Sequence, residues 1–217
     1  MQLEHYIDHT ILKPTATVSD IKKLCKEAKA YNFYAVCVNG CHTDLAKKEL
    51  EYSKVKLAIV VGFPLGAMSM EAKIFEAMEG IKNGADEIDM VVNIGWLKSG
   101  EYSLVRNEIS QIKKAIGDKI LKVIIETCYL TTEEKQKACQ LAVEAKADFV
   151  KTSTGFGSGG ATFEDVELMK NSVGDKAKIK ASGGIKDRET ALRYIKLGAL
   201  RLGTSSGISI VEEIKRH

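Results

Sequence analysis

Short apolar runs rich in β-branched residues alternate along the chain with stretches in which apolar residues return every three or four positions. The runs predict strands at 6–12, 35–39, 56–63, 87–92, 121–127, 148–152, 178–182 and 199–203. Between them, Ile21, Leu24, Cys25 and Ala28 make one helical stripe. Ile74, Ala77, Met78 and Ile81 make a second, and Ala138, Leu141, Ala142 and Ala145 a third. Start signals agree with these spans. Thr131 stands three positions before Glu134, the spacing of a capping box, and Asp187 is placed to cap a helix from Arg188. Gly84, Gly117, Gly174 and Gly198 stand just past helical patterns, where helices stop.

A weak internal echo points to a repeated unit. Gly84-Ala85-Asp86-Glu87-Ile88-Asp89, Ala145-Lys146-Ala147-Asp148-Phe149-Val150 and Gly198-Ala199-Leu200-Arg201-Leu202 each lead from a helix into a strand. Strands alternating with helices through short connections pair in parallel. Eight such strands in 217 residues predict a (β/α)8 barrel, one domain spanning 1–217. A doubly wound open sheet is the competing arrangement on pattern alone.

Composition narrows the class. Hydrophobic residues are 45% and charged ones 28%, as in soluble globular proteins. A net charge of +3 gives no bulk field for nucleic acid, and Trp96 with the few other aromatics forms no stacking stripe. The longest apolar run, 57–63, is too short to span a bilayer. The opening MQLEHYIDHT lacks a basic start followed by an apolar core, so no secretory signal is expected. Five irregularly spaced cysteines suit reduced thiols in a cytoplasm.

Side chains alternate along strands. If Lys151 points into the barrel, so do Phe149 and Ser153, while Val150 and Thr152 face the helices. The same parity puts Lys178, Lys180 and Ser182 inside on the seventh strand, and Glu87, Asp89 and Val91 inside on the fourth. Taken singly, each charge reads as a member of an inert ion pair. Together, at the strand ends where barrel enzymes carry their chemistry, they read as a site. Lys151 and Lys180 fall on adjacent strands, about 5 Å apart. Two ammoniums that close repel by about 3 kcal/mol at an effective dielectric near 20. That is worth about two pH units, enough to make one of them available as a neutral amine, which Schiff-base chemistry requires. Asp89 is the candidate for the accompanying proton transfers.

Three glycine-containing turns follow consecutive strands: Thr154-Gly155-Phe156-Gly157, Ser182-Gly183-Gly184-Ile185 and Gly203-Thr204-Ser205-Ser206-Gly207. The last two follow strands seven and eight, where barrels hold substrate phosphates through backbone N–H groups. Other signals are discounted. Residues 155–160 fit G-x-G-x-x-G, but Thr152, Ser153 and Thr154 separate the run from its strand and it lies late in the chain, against a dinucleotide site. Cys37, Cys41 and His42 lack metal-site spacing and a second pair, and His5 and His9 share a face only if their region is helical, whereas Thr10-Ile11-Leu12 reads as strand, so no metal is expected.

At this point the sequence resembles the deoxyribose-phosphate aldolase family, class I aldolases on a (β/α)8 barrel. The resemblance covers nearly the whole chain. It runs through Ile7-Asp8-His9-Thr10-Ile11-Leu12-Lys13-Pro14, Cys37-Val38-Asn39, Val61-Gly62-Phe63-Pro64-Leu65-Gly66 and Glu87-Ile88-Asp89-Met90-Val91-Val92-Asn93. It continues through Lys122-Val123-Ile124-Ile125-Glu126-Thr127, Lys151-Thr152-Ser153-Thr154-Gly155-Phe156 and Lys180-Ala181-Ser182-Gly183-Gly184.

The resemblance implies reversible cleavage of 2-deoxy-D-ribose 5-phosphate to acetaldehyde and D-glyceraldehyde 3-phosphate, without a cofactor. It implies that Lys151 forms the imine, that Lys180 tunes it, and that Asp89 moves protons with a bound water. Asp8 and Thr154 are implied in support. Gly155, Gly183, Gly184, Gly203, Ser205 and Ser206 match the phosphate turns. Cys37 matches a cysteine tied to aldehyde inactivation in some relatives. A homo-oligomer, dimer or tetramer, is implied as well. Two departures stand out. Gly40 replaces the proline usual after Cys37-Val38-Asn39, which loosens a loop. Lys215-Arg216-His217 carries no terminal tyrosine, so the proton-transfer route of tailed members is not expected here. The other readings of the residues are an aldolase for a different short sugar phosphate, a dinucleotide-binding oxidoreductase, and a phosphate binder without turnover.

Overall fold

The computed structural model describes residues 2–212; the tail 215–217, where a terminal tyrosine was looked for, lies outside them. The strands are β1 Ile7–Thr10, β2 Ala35–Asn39, β3 Lys56–Val61, β4 Glu87–Val91, β5 Ile120–Ile124, β6 Phe149–Lys151, β7 Lys178–Ser182 and β8 Ala199–Thr204. Each pairs in parallel with the next, and β8 closes on β1 through Ile7↔Leu202, Asp8↔Gly203 and His9↔Thr204. That closure settles the barrel against the open sheet. The helices are α1 Val18–Ala30, α2 Thr43–Glu49, α3 Met70–Lys82, α4 Ile94–Lys98, α5 Tyr102–Ile116, α6 Thr132–Glu144, α7 Phe163–Val173, α8 Arg188–Lys196 and α9 Gly207–Glu212.

A small hydrophobic core sits inside the barrel, and the larger one lies between barrel and helices. Outward residues such as Val36, Val38, Ile59, Ile88, Val123, Val150, Ile179 and Ala181 are buried there with the helical stripes. Outer faces are mainly apolar, while the inner faces of β1 and β4–β8 carry charged groups and those of β2 and β3 bury apolar Cys37, Ala58 and Val60. α1 buries Ile21, Leu24, Cys25 and Ala28 as the spacing predicts. α6 does the same with Ala138, Leu141 and Ala142 and starts in a capping box of Thr131 and Glu134. The Asp187 side chain accepts from Thr190 N–H at the start of α8.

The second stripe is corrected. Ala77 is buried, Ile74 and Ile81 pack only partly, and Met78 is 52% exposed. α3 instead buries Lys73, Ala77 and Gly80. Gly80 sits so close to β3 that a Cβ there would lie 2.0 Å from Ile59 Cδ1. Lys73 is tolerated because its Nζ lies 2.8 Å from Glu108 on α5 and donates to the Val91 carbonyl at 2.9 Å. Burial lowers the Lys73 pKa and raises that of Glu108, each opposed by the partner's charge.

Candidate active site

Six of the eight strands place an ionisable group inside the barrel: Asp8 on β1, Glu87 and Asp89 on β4, Lys122 on β5, Lys151 on β6, Lys180 on β7 and Arg201 on β8. All are buried, with Asp8, Asp89, Lys122 and Lys180 inaccessible to water. Strand register brings them together, since Asp89 pairs with Lys122 across β4–β5 and Lys151 with Lys180 across β6–β7.

The contacts close into a ring of alternating sign. Lys180 Nζ donates to Asp8 Oδ2, and Arg201 Nη1 to Asp8 Oδ1 at 2.5 Å. Arg201 Nη2 donates to Glu87 Oε1 at 2.7 Å, and Glu87 Oε2 lies 2.6 Å from Lys122 Nζ. Lys122 donates to Asp89 Oδ1 at 2.6 Å, and Asp89 Oδ2 accepts from Lys180 at 2.9 Å, which completes the circuit. Three cations and three anions make the ring neutral. Lys151 hangs from it, donating to Asp89 Oδ2 at 2.8 Å. It is the one cation of the cluster held by a single carboxylate, and it carries the surplus charge.

Buried charges survive only when paired. Burial would raise the pKa values of Asp89 and Asp8, but the surrounding cations outweigh it: Lys122, Lys151 and Lys180 around Asp89, and Lys180, Arg201 and Lys122 around Asp8. Both carboxyls are held well below the usual carboxylate range. Burial pulls Lys180 and Lys122 down, and the carboxylates more than restore them, so both lie above an ordinary lysine. Lys180 therefore stays charged. The expected repulsion between Lys151 and Lys180 is met by one shared oxygen, Asp89 Oδ2.

Above the ring opens a cleft of about 590 Å³. Lys151 reaches it from below, 2% exposed. Its walls include Thr154, Gly155, Gly183, Gly184, Gly203, Ser205 and Ser206, the turns singled out in the sequence, together with Lys186. Gly155, Gly183 and Gly184 all have positive φ, which only glycine adopts freely. The turns are braced from beneath. Ser182 Oγ donates to the Ser153 carbonyl at 2.6 Å, and a Cβ on Gly160 would lie 2.3 Å from the Gly183 carbonyl oxygen. Buried Glu126, itself in the left-handed region at φ 54, accepts from the Thr154 hydroxyl and from Thr154 N–H at 3.2 Å. The β1–β3 side of the interior is apolar by contrast: Leu12, Cys37, Ala58 and Val60, with Phe63 against them. Burial and Asp89 raise the Cys37 thiol, while the three lysines pull it down.

The structure thus gathers Lys151, Lys180, Asp89 and Asp8 into direct contact, with Cys37 beside them and the three glycine-containing turns above. Lys178, the exposed first residue of β7, stands apart from the cluster, its Nζ 5.6 Å over the Phe149 ring. Lys122, Arg201, Glu126 and Lys186 were not singled out as site residues, although a lone charge inside an apolar strand run flags Lys122 and Arg201 as it does Lys151. The G-x-G-x-x-G run does not open a helix, since α7 begins at Phe163. His9 sits on β1, its Nε2 2.8 Å from Glu27, and His5 precedes the strand. Among the described residues, no group of three or more His, Cys, Asp or Glu side chains is arranged to hold a metal.

Known proteins align with this picture. The sequence model of the DeoC/LacD family aldolase matches residues 3–211. A deoxyribose-phosphate aldolase of Finegoldia magna is 60% identical over 212 residues, covering 98% of this chain and 100% of that one. One of Thermococcus gammatolerans is 58% identical, covering 98% and 96%. Among solved structures, the aldolase QR15 superposes with a TM-score of 0.95 at 45% identity, over 99% of this chain and 97% of that one. The deoxyribose phosphate aldolase of Aeropyrum pernix, described as tetrameric, gives 0.90 at 32%, over 99% and 91%. The chain belongs to the DeoC/LacD aldolase family.

Proposed function

We propose that the chain, as one barrel domain, is a cytoplasmic class I aldolase that reversibly cleaves 2-deoxy-D-ribose 5-phosphate to acetaldehyde and D-glyceraldehyde 3-phosphate. The observation that carries this reading is Lys151 itself. It is a buried lysine at the base of a cleft walled by phosphate-type turns, and it hangs as the surplus cation from a neutral ring. Giving up one proton there brings the whole cluster to electroneutrality and leaves the ring unbroken.

The neutral Lys151 amine adds to the C1 carbonyl of the open-chain sugar, and loss of water gives an imine. Removal of the C3 hydroxyl proton lets the C2–C3 bond break, its electron pair passing toward the imine nitrogen. Glyceraldehyde 3-phosphate leaves and an enamine remains. Protonation at C2 and hydrolysis release acetaldehyde and restore the amine. Asp89, ionised in the resting cluster, is the base that transiently takes the proton released at the C3 hydroxyl and gives it back for protonation at C2, with water relaying between them. Lys180, itself anchored by Asp8, holds Asp89 and sets the positive field around the amine. The N–H groups at Gly155, Gly183, Gly184 and Gly203 and the hydroxyls of Ser205 and Ser206 take the phosphate, while the apolar wall by Leu12, Val60 and Cys37 suits a donor aldehyde without a hydroxyl. The kinship with a tetrameric relative supports a homo-oligomer.

Lys151→Ala tests the reading. Cleavage of 2-deoxy-D-ribose 5-phosphate falls to background while circular dichroism and thermal midpoint show a folded barrel. Substantial turnover by the folded variant contradicts it. A panel of short sugar phosphates at matched concentration fixes the substrate, and preference for a longer donor would transfer the assignment to another aldol reaction.

A further inference from the structure

None of the six ring members lines the cleft, which only Lys151 of the cluster reaches. Glu87 is the first residue of β4, and Arg201 lies deep in β8. Arg201 lies with its guanidinium 3.3 Å from the Tyr34 ring centroid and 5.6 Å from that of Phe149. Both Glu87 oxygens accept from Arg201, at 2.7 and 3.2 Å, and Arg201 Nη1 also reaches Asp8. A plug closing the barrel floor needs only bulk. This pair instead carries the two charges that complete the alternation, and a planar guanidinium fork reaches both carboxylates where an ammonium could hold only one in good geometry.

We infer that Glu87 and Arg201 are positioning residues that set the charge of the ring and so leave the unmatched cation on Lys151. The inference rests on the reading of Lys151 as the imine-forming amine. Its mechanism is electrostatic. Without Arg201 the ring is left with one excess negative charge, which Lys151 neutralises by keeping its proton. Without the Glu87 charge the ring is left with one excess positive charge, and Lys151 sheds its proton more readily.

The test follows the rate at which acetaldehyde and borohydride label Lys151 as a function of pH, since the labelled species forms from the neutral amine. A unit charge about 10 Å away at an effective dielectric near 20 moves such a profile by about one pH unit. Glu87→Gln should therefore move the acid limb about one pH unit down. Arg201→Met should move it about one pH unit up. On the limb these are about tenfold changes in labelling rate, of opposite sign. Arg201→Lys keeps the charge and should stay close to the parent profile. Limbs that stay in place with only lower rates, or that move in the same direction, would mean a structural plug and overturn the inference. The parent protein supplies an arm that needs no variant to fold. A buried ring is unscreened, so the limb should not move between low and high salt, and a salt-dependent limb would assign control to exposed lysines around the cleft instead. Absence of any Lys151 adduct in the parent would strike the aldolase reading itself, a result distinguishable from the others.

Discussion

Replacing Asp89 with asparagine removes one charge from the place where three ammoniums meet. Lys122 lies 2.6 Å from one oxygen, and Lys151 and Lys180 lie 2.8 and 2.9 Å from the other. An amide keeps the shape and one acceptor oxygen, but turns an NH2 toward at least one ammonium and leaves the cluster with two surplus cations. Breaking a buried ion pair by removing one partner costs about 3–5 kcal/mol. For a chain of this size each kcal/mol is worth about 2–4 °C, so the thermal midpoint should fall by roughly 6–20 °C. The fall should depend on pH. In the folded variant the three ammoniums relieve their repulsion by losing a proton between them, whereas an unfolded lysine keeps its own to about pH 10.4. The unfolded state then binds more protons, so the variant's stability rises with pH. The midpoint deficit against the parent should be larger at pH 6 than at pH 9, read by scanning calorimetry or circular dichroism. Turnover should fall by about 10²–10⁴, the usual weight of a group that moves protons. Trapping of acetaldehyde on Lys151 should survive. A midpoint within about 2 °C of the parent, or a deficit independent of pH, would refute the claim that the ring is an electrostatic unit.

Gly184→Ala separates phosphate binding from chemistry. Nothing lies within 4 Å of a Cβ there, so the cost is the left-handed backbone at φ +83, about 1–2 kcal/mol. KM for the phosphorylated substrate should rise while acetaldehyde trapping stays unchanged, and an unchanged KM would remove Gly184 from the phosphate turn. Burial raises the Cys25 thiol to about 11 and that of Cys139 to about 12, and it raises Cys37 as well. At pH 8 a thiol reagent should modify exposed Cys41 first and half-buried Cys128 next, with all five cysteines reacting only after denaturation. Prompt modification of Cys37 in the native protein would show that the barrel interior opens more widely. Asp8 and Asp89 titrate far lower in the folded barrel than in the unfolded chain. Their contribution to stability is complete above about pH 4 and is lost as pH falls below it, so the thermal midpoint should drop steeply from pH 4 to pH 3. A flat midpoint over that range would contradict the depressed carboxyls.

Strand positions were legible because the outer faces are apolar and β-branched, and β2 and β7 begin and end where the pattern places them. β1, β3 and β5 end two to three residues early, at Thr10, Val61 and Ile124, where the chain leaves the sheet for loops, and of these the loop after β1 lines the cleft through Ile11, Leu12 and Lys13. The α3 face was misread for a long-range reason. Lys73 is buried by its pairing with Glu108, 35 residues away, and Gly80 lets the helix press on Ile59. Neither partner is visible to a helical period. The same limit hid the ring. Parity shows that Lys151, Lys180 and Asp89 point inward, but only the barrel's register reveals that Lys122 and Arg201 close an alternating circuit around them. Glu126 stands in the sequence only within a stretch of the family resemblance, since its contacts come from a left-handed backbone and the Thr154 hydroxyl.

The most direct test of the central claim is borohydride trapping with acetaldehyde followed by peptide mass mapping of the parent protein. An ethyl adduct on Lys151 alone is the predicted result, identifying the nucleophile and the imine together. An adduct on Lys180 would reverse the roles of the two lysines. No adduct on either, from folded protein, would contradict the Schiff-base account.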